Sequence, residues 1–389
     1  MKNNLFLLLT LFTVPALASN HNNEANKILT QTADKLLSIQ TVSYHYERDI
    51  SYPKENYHSK ASAQCYLEFD KEKVSKFQLN SEATFQVYNG TEYFSLDKKA
   101  KTYELKEQPD GKAFNSFSYF YNSIPSFRSI LYQIIRDDSI SKTTRDTVIA
   151  NKPYHIVSLA MQNKGIDYLG SFRNFTTVMA MYYDIIIDPA SSLPYQIIER
   201  NSHEKTDITK VTYTDINISP NKPQETSWYY STYTKEYQPE KKIANKPMIA
   251  AGAILPDWQL PVYKGDTLTT LQNSSLKGKV ILMEFWIKNC SYCMESFTYL
   301  KELQQKFNAA NVQIITINAY DSPKEIGFFY NREKPAYKML YAGQALAKDL
   351  GIYSYPQAIL VDKSGKVIFA GTFGKDSKTQ IEQLITKQL

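Results

Sequence analysis

The sequence predicts two domains, an antiparallel β-rich domain followed by an α/β domain. A chain of 389 residues is longer than one average domain. Its 30 tyrosines are concentrated before residue 240, and aromatic residues favour strands. In the second half, the largely apolar residues 280–287 lead into Cys290-Ser291-Tyr292-Cys293 and then into a helical pattern. That order indicates a buried parallel strand followed by a helix.

Composition limits the class of protein. A hydrophobic content of 43% with 22% charged residues is ordinary for a globular protein that buries a core. The net charge of +6 is spread along the chain and forms no basic block. Nucleic acid is therefore not expected as a partner.

The N-terminus has the pattern of a secretory signal. Lys2 precedes the apolar residues 5–14, and Ala16-Leu17-Ala18 precedes the polar Ser19. We predict a signal peptide over residues 1–18, cleaved after Ala18, and export to the periplasm in a bacterium. The alternative is an uncleaved membrane anchor, for which the apolar segment is short.

The predicted first domain, residues 19–235, opens with an amphipathic helix over residues 24–39. The hydrophobic pattern predicts a second helix over residues 127–137, and Asn89-Gly90 predicts a tight hairpin. Consecutive strands behind a helix favour an antiparallel sheet or partly open barrel wrapped over that helix. Strands are predicted at residues 41–50, 62–69, 74–79, 84–88, 91–96, 102–105, 147–149, 154–160, 180–187, 195–201 and 206–218.

This pattern resembles the lipoprotein-carrier (LolA-like) family over residues 24–235. The resemblance consists of the opening helix and strand, Val87-Tyr88-Asn89-Gly90, and Ile185-Ile186-Ile187-Asp188-Pro189 with Leu193-Pro194-Tyr195. It implies an antiparallel half-barrel enclosing an apolar cavity for an acyl chain or another apolar ligand. A packed core without a ligand is the alternative.

Residues 236–252 lack sustained periodicity and contain Gln238-Pro239 and Lys246-Pro247, so we predict a linker. The second domain, residues 253–389, is predicted to begin with a hairpin around Lys264-Gly265-Asp266. A strand from residue 280, the cysteine pair and a helix with a buried stripe follow. Predicted next are a strand at 312–317, two helices within 323–350, strands at 357–361 and 366–370, and a helix at 378–387.

The two cysteines at the helix start suggest redox chemistry. A helix N-terminus stabilises a thiolate, so Cys290 is predicted to be the nucleophile. Cys293, one helical turn later, is placed to attack a mixed disulfide. Zinc binding is the alternative, but it needs two more ligands, and Cys65 and the five histidines lie far away in the sequence. Cys65 is predicted to be buried and inert.

The second domain resembles the TlpA-like thiol-disulfide oxidoreductases of the thioredoxin superfamily, over residues 250–389. The shared motifs are Leu276-Lys277-Gly278-Lys279-Val280, Glu284-Phe285-Trp286, the Cys-x-x-Cys, Tyr355-Pro356 and Val361-Asp362-Lys363-Ser364-Gly365. The resemblance implies a thioredoxin fold with Cys290 as the attacking thiol, Cys293 as the resolving thiol, and a cis peptide bond before Pro356. Tyr355, Pro356 and Trp286 are predicted to bind substrate.

Two departures limit what the resemblance implies. The family commonly has tryptophan before the first cysteine and proline within the pair, where this chain has Asn289 and Ser291-Tyr292. Glutamate is common three residues after the second cysteine, where this chain has Ser296. The redox potential and the direction of the reaction therefore stay open.

Glu284 interrupts a strand that should be covered on both faces, where an unpaired carboxylate is costly. In thioredoxins the corresponding position holds a buried acid that exchanges protons with the resolving cysteine. We therefore predict a catalytic role for Glu284. A solvent-facing glutamate on a sheet edge is the alternative.

The leading hypothesis for function is an exported oxidoreductase that reduces or rearranges protein disulfides. Its predicted partners are proteins that carry disulfides and a membrane-borne or periplasmic thiol electron donor. No metal or other cofactor is predicted. The alternative is a carrier for acylated or apolar cargo whose thioredoxin-like domain docks partners. Peroxide reduction uses the same fold, but no motif here singles it out.

Overall fold

Two compact units make up the chain in the computed structural model, which describes residues 16–71, 73–110, 113–115, 117–175, 178–241, 245–264, 269–288 and 290–389. For residues 16–22 and 291 it describes the backbone alone. The first unit runs to Lys241 without residues 54–56, and the second comprises those three residues and the chain beyond Lys241. Residues 1–15 of the predicted signal peptide lie outside the described residues. Within the described ranges, no helix has both the length and the apolar character needed to cross a membrane.

The first unit is dominated by antiparallel strands. Its elements are α1 (Ala16–Ser38), β1 (Thr41–Tyr52), β2 (Tyr57–Asp70), β3 (Lys73–Ser81), β4 (Thr84–Tyr88), β5 (Glu92–Asp97), β6 (Thr102–Glu107), α2 (Ile124–Arg136), β7 (Ser141–Ile149), β8 (Lys152–Gln162), β9 (Lys164–Ile166), β10 (Phe172–Asn174), β11 (Ala180–Ile187), β12 (Pro194–Asn201), β13 (Ile208–Asn217) and β14 (Gln238–Pro239). Twelve of these strands form one sheet in the order β14-β6-β5-β4-β3-β2-β1-β13-β12-β11-β8-β7. The sheet is antiparallel except for the edge pair β14 and β6. The predicted β-rich antiparallel first half is thus confirmed.

Tyrosines explain much of the core of this unit. Tyr44 and Tyr46 alternate with more exposed residues on β1, and both are fully buried. The ring of Tyr44 meets that of Tyr213 on β13 edge-on, with centroids 5.8 Å apart. Large aromatic side chains on a pleated surface bury much apolar area, so these tyrosines stabilise the sheet.

The two helices pack against each other, and a buried arginine joins them. Arg128 of α2 donates from Nη1 to the carbonyl oxygens of Leu36 and Ile39, the latter at 2.9 Å, and from Nε to that of Lys71 at 3.2 Å. The last carbonyl groups of a helix have no partner within the helix. Arg128 therefore caps the C-terminus of α1 with a cation, which the helix dipole also favours.

The interior of the first unit is packed with side chains. Residues of α1, α2 and the inward faces of the strands form one continuous hydrophobic core. A groove of about 430 Å³ lies elsewhere in this unit, between Tyr154, Tyr195 and Tyr213, and its lining includes the charged Lys152 and Asp215. This groove is not the enclosed apolar cavity that the carrier resemblance implies. The likeness to lipoprotein carriers stays a prediction.

The second unit is an α/β layer structure. Its elements are β15 (Gln259–Val262), β16 (Thr269–Gln272), β17 (Val280–Trp286), α3 (Ser291–Lys306), β18 (Val312–Asn318), α4 (Pro323–Glu333), β19 (Lys338–Leu340), α5 (Gln344–Asp349), β20 (Gln357–Val361), β21 (Val367–Thr372) and α6 (Lys375–Gln388). The sheet order is β16-β15-β19-β18-β17-β20-β21. Strands β17, β18 and β19 run parallel. Strand β20 pairs antiparallel with β17, and β21 pairs antiparallel with β20. This is the thioredoxin fold that the sequence predicts.

Strand β17 is central, and all seven of its residues are buried. Val280, Leu282 and Trp286 pack into a core with α3 and α6, while Met283 and Phe285 pack into the core on the opposite face. A strand covered on both faces has this near-continuous apolar sequence. The predicted buried stripe of α3 is confirmed, since its members are at most 7% exposed: Phe297, Leu300, Leu303 and Phe307.

Some local predictions differ from the structure. Helix α2 begins at Ile124, three residues earlier than predicted, because Ser123 accepts a hydrogen bond from the amide of Ser126 and caps it. The three-residue strands β9, β10 and β19 are not predicted, because so short a segment carries little periodicity. Of the predicted hairpin turn Lys264-Gly265-Asp266, only Lys264 belongs to the described residues. Strands β15 and β16 on either side of it pair as predicted.

The predicted linker is held at both ends. Gln238–Pro239 pairs with β6 in the first unit. In the second unit, the amide of Ile249 donates to Leu350 at 2.9 Å and that of Gly252 donates to Val367 at 2.8 Å. Backbone hydrogen bonding of this kind is invisible to composition, which is the property that predicted a linker here.

Candidate active site

The cysteine pair lies at the start of α3, after the short loop that follows β17. Cys290 is the N-cap residue of α3, and its sulfur accepts a hydrogen bond from the amide of Cys293 at 3.2 Å. The two residues form a disulfide with their Cα atoms 5.2 Å apart. In the reduced protein the same amide and the helix N-terminus would stabilise a thiolate at Cys290.

The two sulfurs differ in access. Cys290 is partly exposed, whereas Cys293 is completely buried. Only an exposed sulfur can be reached by a disulfide on another protein, so the geometry agrees with Cys290 as the attacking thiol and Cys293 as the internal one.

A proline loop borders the pair. The Tyr355–Pro356 peptide bond is cis, as the sequence predicts. The carbonyl oxygen of Tyr355 lies 3.6 Å from the sulfur of Cys290. Pro356 itself is buried, and Tyr355 is partly exposed with its ring edge-on to that of Tyr320, at 6.0 Å between centroids. The fold thus brings Cys290 and Tyr355 together although they are 65 residues apart in the sequence.

Glu284 is completely buried in β17, which excludes a solvent-facing position on a sheet edge. Burial raises the pKa of its carboxyl group to about 8, and the hydroxyl of Ser296 opposes that rise. Oγ of Ser296 lies 2.8 Å from Oε1 of Glu284 and 2.7 Å from the carbonyl oxygen of Cys293. Glu284 is therefore connected to the resolving cysteine through Ser296.

Ser296 is a site residue that sequence reasoning left without a role. It stands three residues after Cys293, where the glutamate expected from the family resemblance is missing, and that departure was the available signal. The helical spacing i, i+3 also places it on the face of α3 that carries Cys293. The contact with Glu284 depends on how α3 packs over β17, which the sequence does not show.

The structure corrects the assignment of Trp286 to substrate binding. Its side chain is completely buried, and its ring meets those of Phe297 and Phe329 edge-on at 5.1 Å and 5.0 Å. The alternation of β17 directs residues 280, 282, 284 and 286 to the face covered by α3. Trp286 is therefore a core residue on which α3 packs through Phe297.

Polar contacts hold the loop between β17 and the pair. The amide of Lys288 donates to Oδ2 of Asp321 at 2.7 Å, and the ammonium group of Lys288 pairs with Glu325. The hydrogen bond from Lys288 is the main cause that lowers the pKa of Glu325 to about 2. These contacts tie the loop to the start of α4. Asn289, which departs from the family pattern, lies outside the described residues.

The geometry of the described residues does not support zinc binding by the cysteine pair. In the ranges that the structure describes, no three histidine, cysteine, aspartate or glutamate side chains cluster so that they could hold a metal ion. Cys65 belongs to the first unit, where it is completely buried. Burial raises the pKa of its thiol, which makes it a poor nucleophile.

Fold and site together define the second unit as a thioredoxin-like thiol-disulfide oxidoreductase domain. Comparison with known proteins agrees. The Redoxin family model matches residues 250–385. A thiol-disulfide oxidoreductase ResA of Bacillus thuringiensis (strain Al Hakam) is 26% identical over 146 residues, which are 37% of this chain and 82% of the relative. The thioredoxin-like protein YneN of Bacillus subtilis (strain 168) is 27% identical over 161 residues, 40% of this chain and 87% of the relative.

Among solved structures, the chain is similar to a putative thiol:disulfide interchange protein DsbE from Chlorobium tepidum. The identity is 23%, with 36% of this chain and 98% of that chain covered and a TM-score of 0.33. The Redoxin match lies within the second unit.

Proposed function

We propose that this protein is an exported thiol-disulfide oxidoreductase that reduces or rearranges disulfides of periplasmic proteins. The observation that carries the proposal is the unequal burial of one cysteine pair at a helix N-terminus. Cys290 is partly exposed beside Tyr355, whereas Cys293 is buried and linked to Glu284 through Ser296. The names of the relatives support disulfides as substrates.

The reaction proceeds in two thiol-disulfide exchanges. The Cys290 thiolate attacks one sulfur of the substrate disulfide, forms a mixed disulfide and releases the other substrate sulfur as a thiolate. Cys293 then gives its proton to the Glu284 carboxylate and attacks the sulfur of Cys290, releasing the second substrate thiolate. Two electrons have passed to the substrate, and the protein holds the Cys290–Cys293 disulfide. A dithiol donor is needed to reduce it again. In rearrangement, a second substrate thiol resolves the mixed disulfide instead.

The surface beside Cys290 suits an extended peptide with apolar groups. Tyr320 is 57% exposed and Tyr292, within the pair, is 62% exposed. Aromatic rings contribute large contact area at low entropic cost. We propose that Tyr355 and these two tyrosines contact the residues that flank the substrate disulfide, while the buried Pro356 holds the backbone of Tyr355 beside Cys290.

Trapping tests the proposal directly. Cys293→Ser removes the internal attack, so substrate proteins should stay attached to Cys290 and appear as adducts on non-reducing gels. Cys290→Ser is the matched control and should give few adducts. Equal yields from both variants would show that the attacking thiol is assigned wrongly.

The direction of the reaction is set by the potential of the pair. A potential near about −270 mV would support a reductant, whereas one near about −120 mV would indicate an oxidant. Cell fractionation together with the N-terminal sequence of the mature protein tests export. A mature chain that starts at Ser19 in the periplasm is expected. A full-length chain retained with membranes would indicate an anchor.

The first unit is proposed to recruit substrate or partner proteins. The alternative, a carrier for acylated or apolar cargo, draws on the sheet-and-helix order of this unit, but its packed interior does not favour it. Native mass spectrometry of the gently purified full chain separates the two. A copurifying acyl ligand and uptake of a fluorescent fatty acid would support the carrier, and the absence of both would support recruitment.

A further inference from the structure

Ser296 occupies an unusual position between two groups that both accept hydrogen bonds. Its hydroxyl oxygen is 2.8 Å from Oε1 of Glu284 and 2.7 Å from the carbonyl oxygen of Cys293. All three residues are completely buried. A serine hydroxyl has a single hydrogen, so it can donate to only one of these oxygens at a time.

The protonation state of Glu284 decides how that hydrogen is used. When Glu284 is ionised, the carboxylate is acceptor-only, and Ser296 can donate to it. When Glu284 is protonated, its own O–H can donate to Ser296, which is then free to donate to the carbonyl oxygen of Cys293. Either state of the acid therefore finds a hydrogen bond, although it lies away from water.

Ser296 is the sole hydrogen-bond partner of this carboxyl group among the described residues. Oε2 of Glu284 is buried without a partner there, and so are the hydroxyl groups of Thr316 and Tyr337. A buried ionised group without a hydrogen bond is strongly disfavoured. The ionised form of Glu284 therefore depends on one serine hydroxyl.

We propose that Ser296 is a positioning residue that connects Glu284 to the first turn of α3 and allows the buried carboxyl group to gain and lose the proton exchanged with Cys293. This inference rests on the proposed role of Glu284. It gives a function to a side chain for which the sequence alone suggested none.

The groups around Glu284 determine how its protonation should depend on pH. Among the described residues, the phenol of Tyr337 interacts with the charge of Glu284, and its pKa is raised chiefly by burial and further by that charge. The thiol of Cys293 on α3 is the proposed partner in the proton exchange. Strand β18 contributes Thr316 opposite Glu284, and β20 contributes Ala358. Removing the Ser296 hydroxyl should raise the pKa of Glu284, because that hydroxyl favours the charged form.

The test measures both exchange steps in the full chain. A peptide with one internal disulfide is mixed with the reduced protein, and acid quenching followed by mass spectrometry gives the amounts of mixed disulfide and product over time. In Ser296→Ala, mixed-disulfide formation should be unchanged. Resolution near pH 7 should be slowed roughly tenfold, as the acidic limb of its pH profile moves up by about one unit.

Two further variants test whether slower resolution comes from loss of the Ser296 hydroxyl group or from loss of packing. Ser296→Thr keeps the hydroxyl and should restore the wild-type profile. Thr316→Val removes a neighbouring buried hydroxyl that has no partner among the described residues, and it should resolve at the wild-type rate. The carboxyl carbon shift of isotopically labelled Glu284, assigned with Glu284→Gln, should titrate at higher pH in Ser296→Ala.

Experiments with Glu284→Gln show whether the proposed role of Ser296 or the proposed role of Glu284 is wrong. Adding Ser296→Ala to Glu284→Gln should cause no further slowing, since the group that the serine serves is gone. A wild-type pH profile in Ser296→Ala, or equal slowing in both backgrounds, would overturn the role of Ser296. Normal resolution in Glu284→Gln alone would instead overturn the proposed role of Glu284.

Discussion

Glu284 of β17 lies directly opposite Thr316 of β18, and neither side chain has any exposure to solvent. A carboxyl group in that position loses the hydration that stabilises its charge. Its pKa rises from the ordinary value of 4.5 to about 8. The neutral acid is therefore the form that the folded second unit favours around neutral pH.

This raised pKa predicts how stability depends on pH. Because the folded protein holds the proton more tightly than the unfolded chain, the contribution of Glu284 is most favourable below pH 4.5 and is lost as pH rises from 4.5 to about 8. Glu284→Gln should therefore be more stable than the wild type by about 3 kcal/mol at pH 7. The two proteins should converge near pH 4.

Urea unfolding of the second unit measures this difference. Tryptophan fluorescence in a Trp228→Phe background reports on Trp258 and Trp286, which both lie in the second unit. The exposed Asp349 at the end of α5 provides the control. Asp349→Asn removes an exposed carboxyl group, and a gap of equal size there would discredit burial as the cause.

The same substitution predicts a kinetic defect confined to one step. Glu284→Gln keeps the shape of the side chain but cannot accept a proton, and general base catalysis contributes roughly 10²- to 10⁴-fold. Formation of the mixed disulfide should be near normal while its resolution is slow. The deficit should shrink as pH rises and Cys293 ionises without help. Stopped-flow reduction of a model disulfide across pH checks this, and a deficit in the first step would contradict it.

Cys65 should take no part in the redox reaction. Its side chain is completely buried, and burial raises the pKa of its thiol. Cys65→Ala should therefore retain full disulfide reductase activity. In the native reduced protein, iodoacetamide should modify Cys290 quickly and Cys65 only after unfolding. Rapid labelling of Cys65 in the native protein would show that the strand around it opens.

Arg128 should matter for the stability of the first unit. The residue is 5% exposed, and its guanidinium group donates hydrogen bonds to carbonyl groups at the end of α1 and at Lys71. Arg128→Met removes buried charge-assisted hydrogen bonds and should destabilise the first unit by on the order of 3 kcal/mol. Hydrogen exchange of peptides from α1 measures the effect. Arg136→Met, an exposed change on the same helix, should leave exchange unaltered.

Several features of this protein follow from its sequence alone because they depend on neighbours along the chain. The apolar run of β17, the pair Cys290 and Cys293, and the stripe of α3 are local patterns with a period set by the backbone. The acidic residue in a doubly covered strand already indicated a catalytic role for Glu284. The β-rich first half followed from the strand preference of aromatic residues.

Other features were decided by tertiary packing, since they join residues far apart in the chain. Which face of β17 meets α3 determines that Trp286 is a core residue, and the position of α3 over that face places Ser296 beside Glu284. The cap on α1 comes from Arg128, about 90 residues later. No local period encodes such contacts. They arise because buried polar groups must find hydrogen-bond partners wherever the assembled fold provides them.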